Sequence, residues 1–288
     1  MTGATAEPGD AAGAWFEALE ARYLADLRPV EVARALRALS SAYVERRGRL
    51  SHGAALDGAG KRAAFALFYG PLHFLLVRAV LHEVEPTDTR GRGGFPPLPL
   101  DNPPRPHSLD DGNAPRPKVD APADLIVDLG CGTGVAGAAW ALACGPAARV
   151  LGIERHPWAA DEARWTCRTL GVAADIRCGD LARVRLPPRA SSIVAAYTVN
   201  ELPPDMRERL LRELLAAHAR GTRVLVIEPI AKSHAPWWPS WAEAVRAAGG
   251  REDIWRFPLD LPGITGRLDR AAGLDHREVT GRSLYLAE

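Results

Sequence analysis

Apolar positions recur every three to four residues from about residue 12 to residue 84, and this spacing predicts helices. Trp15, Phe16, Leu19, Tyr23, Leu24 and Leu27 mark the first, and Pro29 suits the opening turn of a second that carries Val32, Leu36, Leu39 and Tyr43. A third runs from Lys61 to Tyr69, where Gly70-Pro71 is expected to break or kink it before Leu72 to Val84 continues as helix. Residues 1–85 therefore read as an N-terminal helical module, a candidate lid.

Periodicity is lost between residues 86 and 122, which hold ten prolines and the run Gly91-Arg-Gly-Gly-Phe-Pro-Pro. Such a stretch cannot pack as a regular element and reads as a linker between modules or as a surface-draped loop that partly covers a site, the first being favoured. After Ala123 short β-branched runs alternate with helical stretches, the signature of a parallel sheet covered by helices on both faces. Candidate strands are residues 125–129, 149–154, 174–177, 192–198 and 223–229. Residues 277–280 and 283–287 are expected to form a terminal hairpin, preceded by a short helix over 267–272. The expected fold class is α/β, with residues 123–288 as the ligand-binding domain.

Charge changes the picture by exclusion. The 36 Lys and Arg nearly cancel the 35 Asp and Glu, and residues before Pro86 carry ten of each sign, so no long-range field draws the chain to nucleic acid or an anionic membrane. The four cysteines show no Cys-x-x-Cys and no histidine at zinc spacing, so neither a metal site nor a disulfide framework is expected. A reducing cytoplasm fits that usage. The first residues lack a charged stretch leading into an apolar run, and no run of about 18 apolar residues occurs. The expectation is a soluble, unexported protein without a membrane partner.

Candidate chemistry begins at Asp128-Leu-Gly-Cys-Gly-Thr-Gly134, where the first strand turns into a helix. Gly130, Gly132 and Gly134, with Cys131 between, let the backbone approach a ligand and offer amide hydrogens at a helix start. A dinucleotide fingerprint wants Gly-x-Gly-x-x-Gly, and Val135 stands where its last glycine belongs, so spacing disfavours nicotinamide and flavin cofactors. Glu154 ends the second strand twenty residues after Gly134, where a carboxylate can accept from both hydroxyls of a ribose. Asp180, in Arg177-Cys-Gly-Asp-Leu181, follows the third strand, within reach of an adenine amino group, with Leu181 available to pack on the ring. Taken singly, Asp180 reads equally as a helix cap and Glu154 as a solvated strand end.

Four segments, Asp128–Gly134, Ile153-Glu154, Gly179-Asp180-Leu181 and Ala195–Leu202, resemble the successive cofactor motifs of class I S-adenosylmethionine-dependent methyltransferases. The resemblance implies a Rossmann-like sheet of seven mostly parallel strands and S-adenosylmethionine as cofactor. It implies that the glycine turn holds the methionine portion, that Asp128 assists its amino group, that Glu154 binds the ribose, and that Asp180 and Leu181 bind the adenine. Tyr197, in the fourth motif, joins this cofactor set. Ala38–Tyr43, Gly70-Pro71, Asn200-Glu-Leu-Pro203 and Ile227-Glu-Pro229 also resemble the small-ribosomal-subunit assembly methyltransferase-like family of mitochondria and bacteria. The chain departs from that family after Glu228-Pro229, where a cysteine-rich segment is expected and no cysteine follows Cys178.

In open α/β sheets ligands sit over the carboxyl ends of the strands, which makes Asn200, Glu201 and His234 the catalytic candidates. Burial could raise Glu201 toward a useful pKa, although it can equally cap the helix begun by Pro203-Pro204. Asn200 can position substrate or cofactor through its amide, and His234 reads equally as a loop histidine. The order Asn200-Glu-Leu-Pro differs from the Asn-Pro-Pro-aromatic pattern of amino-methylating enzymes, which argues against methylation of DNA bases. Trp237, Trp238, Trp241 and Trp255 cluster beyond the fifth strand, either lining an acceptor pocket or pinning an amphipathic helix over 241–248. Tyr69 and His73 flank Gly70-Pro71 and either face the cofactor or pack in the core. The expected activity is methyl transfer to nitrogen or oxygen of a small molecule. The rivals are an RNA methyltransferase or ribosomal-subunit assembly factor, and a non-catalytic S-adenosylmethionine-binding protein.

Overall fold

The computed structural model describes residues 8–45, 56–85, 124–231 and 235–287; the expected linker at 86–122 and the candidate His234 lie outside them. Seven strands form one sheet: β1 Leu125–Leu129, β2 Arg149–Glu154, β3 Ala173–Cys178, β4 Ser192–Ala196, β5 Arg223–Glu228, β6 Arg251–Pro258 and β7 Glu278–Leu286. Their order is β3-β2-β1-β4-β5-β7-β6. The first five run parallel, and β7 is antiparallel to β5 and β6. Ile126, Val127, Ile193, Val194, Leu225 and Val226 are buried on both faces of the central strands, as helices on each side require. Chain order reverses between β1 and β4, which opens a crevice at their carboxyl ends.

One face packs against α5 Val135–Cys144, α6 Pro157–Thr169, α9 Gly263–Ala271 and the four N-terminal helices: α1 Pro8–Leu24, α2 Pro29–Glu45, α3 Ala59–Ala64 and α4 Gly70–Val84. Trp15, Leu36, Phe68, Leu76 and Trp140 share one apolar cluster, so α1–α4 are continuous with the core of the sheet. The other face holds α7 Pro204–His218 and α8 Trp238–Ala247. Helix α4 runs from the carboxyl end of the parallel strands toward their start: Gly70 lies beside Thr133, while Glu85, just past its end, meets Arg223 at 2.9 Å. The unbroken helical stretch of residues 59–84 is apolar and long enough to cross a membrane, but 83% of its most apolar part is buried inside the protein.

The structure corrects the expectation of a break at Gly70-Pro71. Phe65–Tyr69 form a π-helical turn that passes directly into α4. Pro71 lacks an amide hydrogen, which deprives the Leu67 carbonyl four residues earlier of its α-helical donor. The Thr265 hydroxyl on α9 donates to that carbonyl at 2.9 Å, and the helix continues. The terminal hairpin is also corrected, since residues 278–286 are one strand, antiparallel to β5 and to β6, with α9 between β6 and β7. Gly281 makes no turn there. A Cβ at that position would stand 2.7 Å from Leu76 Cδ2, so glycine lets α4 approach the sheet. Strand β6 escaped notice because its residues alternate between exposed and half-buried positions, with Ile254 65% exposed, and show no apolar run.

Candidate active site

After β1 the backbone rises into a tight turn in which Gly130, Gly132 and Gly134 all take positive φ, at 64°, 52° and 80°. Gly130 has a packing reason as well, since a Cβ would come within 2.5 Å of the Thr198 methyl. The Thr198 hydroxyl donates to the Leu129 carbonyl at 2.8 Å and fastens the end of β4 to this turn. Gly132 differs: nothing lies within 4 Å of where its Cβ would be. The middle of the turn is thus an open cradle rather than a packed corner.

Glu154 is bound into the cradle. Its carboxylate accepts from the Gly132 amide at 2.9 Å and from the His156 amide at 2.8 Å, fixing both oxygens while each keeps a further acceptor position. Asp128 lies beneath the turn, 1% exposed, and accepts from the Gly137 amide in the first turn of α5 at 2.8 Å. It therefore braces the turn against the helix. Burial pushes its carboxyl up to about 7. The Cys131 side chain also points inward, where Gly152 leaves room for its sulfur, and burial raises its thiol. Asp180 is exposed and caps the following turn by accepting from the Ala182 amide at 2.9 Å, with Leu181 half-buried beside it.

At the end of β4, Tyr197 is the one non-glycine among the described residues with positive φ, 60°. That conformation ends the strand at Ala196, two residues earlier than expected, and bulky side chains adopt it where surrounding structure imposes it. Its ring stacks on the His73 imidazole of α4, with centroids 3.9 Å apart and planes at 18°. Burial pushes His73 down to about 3, so this ring is neutral at ordinary pH. Tyr69 lies 6.1 Å from His73, and Phe65 completes the group, edge-on to both His73 and Trp158 at 6.5 Å. Phe65 and Trp158 were not singled out from the sequence. The π-helical turn aims Phe65, and Trp158 stands four residues after Glu154, a position with no motif to mark it.

Asn200 is held on both sides. Its Nδ2 donates to Glu228 Oε2 at 2.6 Å, its backbone amide donates to Glu228 Oε1 at 3.1 Å, and Trp237 Nε1 donates to its Oδ1 at 2.8 Å. Glu228, fully buried at the end of β5, is the organising group, and this network also settles which way the Asn200 amide faces. Glu201 is exposed on a 3-10 turn and reaches Arg155 at 3.5 Å. Of the four tryptophans beyond β5, Trp238 and Trp241 pin α8 in the core and Trp255 stacks on Phe257, leaving Trp237 alone at the crevice. Among the described residues no group of three or more His, Cys, Asp or Glu could hold a metal ion.

Residues 126–221 match the model of a family described as a methyltransferase domain. Over those residues the chain is similar to a methyltransferase domain. A ribosomal protein L11 methyltransferase of Aeromonas hydrophila is 34% identical over 120 residues, which make up 41% of this chain and 38% of that protein. The chain thus spans well under half the length of the curated relative it matches. The plantazolicin methyltransferase BpumL, solved with a desmethylplantazolicin analogue and S-adenosylhomocysteine, is 12% identical with a TM-score of 0.50, over 90% of this chain and 97% of that one. The mitomycin 7-O-methyltransferase MmcR is 18% identical with a TM-score of 0.46, over 98% and 74%. The methyl donor of such a domain is S-adenosylmethionine, and the residues present suit it: the cradle is open at Gly132, and Glu154 has acceptor positions left for a diol.

Proposed function

We propose that this protein transfers a methyl group from S-adenosylmethionine to a nitrogen or oxygen nucleophile of a small molecule. The observation that carries the donor half is the bond from the Gly132 amide to Glu154, which joins the cradle and the strand-end acid into one concave polar edge at the crevice between β1 and β4. In this reading the turn at Gly130–Gly134 holds the methionine portion, Glu154 the ribose, and Asp180 and Leu181 the adenine. Asp128 acts indirectly, by holding the turn against α5.

When bound, the donor supplies a methyl group already activated on its sulfonium, so the protein's task is to align the acceptor and exclude water. Glu228 and Trp237 hold Asn200 rigidly at the end of β4, a fixed amide suited to orienting an acceptor rather than removing its proton. The half-exposed rings of Tyr69, His73, Tyr197 and Trp237 favour a flat or apolar acceptor. A balanced charge of +1 disfavours RNA, and the free thiols of all four cysteines suit a reducing cytoplasm.

The similarity to a ribosomal protein methyltransferase supports a second reading, in which the acceptor belongs to the ribosome. Incubation with methyl-labelled S-adenosylmethionine and fractionated cell extract separates the readings. Label in small metabolites is the expected result. Label confined to RNA or ribosomal protein overturns the small-molecule acceptor, and binding of S-adenosylhomocysteine without any transfer points to a non-catalytic donor-binding protein.

A further inference from the structure

The donor assigned above carries a full positive charge on sulfur, between its amino acid and its adenosine. Each of the carboxylates that border the crevice is already tied to a group of the protein, and Glu154 has its remaining acceptor positions for the ribose. Asp128 lies under the turn on the Gly137 amide, Glu154 is spanned by two backbone amides, Glu228 is spanned by Asn200, and Glu201 leans out toward Arg155. Aromatic residues lie close in the chain to groups that touch the turn: Thr198 touches Gly130 and has Tyr197 as its chain neighbour, while Gly70, three residues before His73 on α4, lies beside Thr133.

Resting on the donor reading of this same site, we propose that the stacked rings of Tyr197 and His73, backed by Tyr69 and Phe65, form a cation–π wall that holds the sulfonium. Three independent features support it. Tyr197 is kept in a left-handed backbone conformation that tyrosine disfavours, at the point where β4 ends. The His73 ring lies flat on it and is uncharged, so the wall is electron-rich and adds no repelling cation. The segment that carries the backing rings Phe65 and Tyr69 is a π-helical turn, a form frequent at functional sites.

Rings also suit the chemistry better than a carboxylate would. Positive charge leaves sulfur as the methyl group departs, so a strong anionic contact would favour the ground state over the transition state. A quadrupole holds the cation more weakly and raises that barrier less.

The test compares binding of S-adenosylmethionine with that of neutral S-adenosylhomocysteine by calorimetry, and needs no acceptor. Tyr197→Asn removes the ring while accepting the left-handed backbone, and Tyr197→Phe keeps the ring. His73→Leu removes the second ring without altering that backbone. The ratio of affinities is expected to shift against the charged ligand by about two- to tenfold in Tyr197→Asn and His73→Leu, and to stay put in Tyr197→Phe. Sinefungin, whose ammonium replaces the sulfonium, should follow the charged ligand. An unchanged ratio in Tyr197→Asn and His73→Leu, with both ligands still bound, overturns the wall and leaves the donor site intact. Failure of the unaltered protein to bind either ligand overturns the donor assignment, and the wall with it.

Discussion

Replacing Thr265 with valine isolates the bond that keeps the ring-bearing helix continuous. Thr265 is 1% exposed, Leu67 is fully buried, and the hydroxyl is 2.9 Å from the Leu67 carbonyl, which Pro71 cannot reach with a donor of its own. Valine matches threonine in shape, so the change leaves no cavity and strands one buried acceptor. A stranded buried carbonyl costs about 1–3 kcal/mol, and the added apolar methyl returns up to about 0.8 kcal/mol, which leaves a net loss between about 0.2 and 3 kcal/mol, centred on about 1–2 kcal/mol. In a chain of this size that lowers the melting temperature by about 2–8 °C. Urea unfolding followed by circular dichroism measures it, with the slope against denaturant unchanged. Pro71→Ala in the same background gives position 71 an amide hydrogen and is expected to recover part of the loss, a coupling that separate mutations would not show. A loss below about 0.2 kcal/mol for Thr265→Val would refute the idea that this hydroxyl replaces the missing helical donor.

Other outcomes follow from the same geometry. Burial holds Asp128 at about 7 against an ordinary value of about 3.9, so its ionised form weakens the fold: wild-type stability should fall relative to Asp128→Asn as pH rises from about 4 to about 7, then level off. At about 1.36 kcal/mol per unit the difference reaches at most about 4 kcal/mol, and a pH-independent difference in urea midpoints would contradict the assignment. Glu154→Ala should weaken S-adenosylhomocysteine binding about ten- to hundredfold by calorimetry, since it removes a charged acceptor and loosens Gly132, whereas exposed Asp180→Ala should cost only a few-fold. Equal losses would mean that the two acids are misassigned. Glu228→Gln should disturb Asn200, because an amide cannot accept on both of its polar atoms; turnover of an identified acceptor should fall while S-adenosylhomocysteine affinity holds.

The alternating pattern after Ala123 and the Asp128–Gly134 turn determined the α/β class and the first five strands to within about two residues, because strand period and glycine turns are local features of the chain. The place of Glu154 at the end of β2 was legible for the same reason. What the chain could not show was which polar groups are already engaged. Asp128 and Cys131 belong to the signature turn yet face inward, and Glu201 is as close in sequence to the end of β4 as Asn200 but points to solvent. Asn200 owes its orientation to Glu228 and Trp237, 28 and 37 residues away. Gly70-Pro71 looked like a helix break because its rescue by Thr265 comes from 198 residues along the chain from Leu67, and Gly281 looked like a turn because the Leu76 side chain that requires it lies on another element. The stack of His73 on Tyr197 is of the same kind. Local propensity decides which elements form, and long-range packing decides which of their side chains remain available for chemistry.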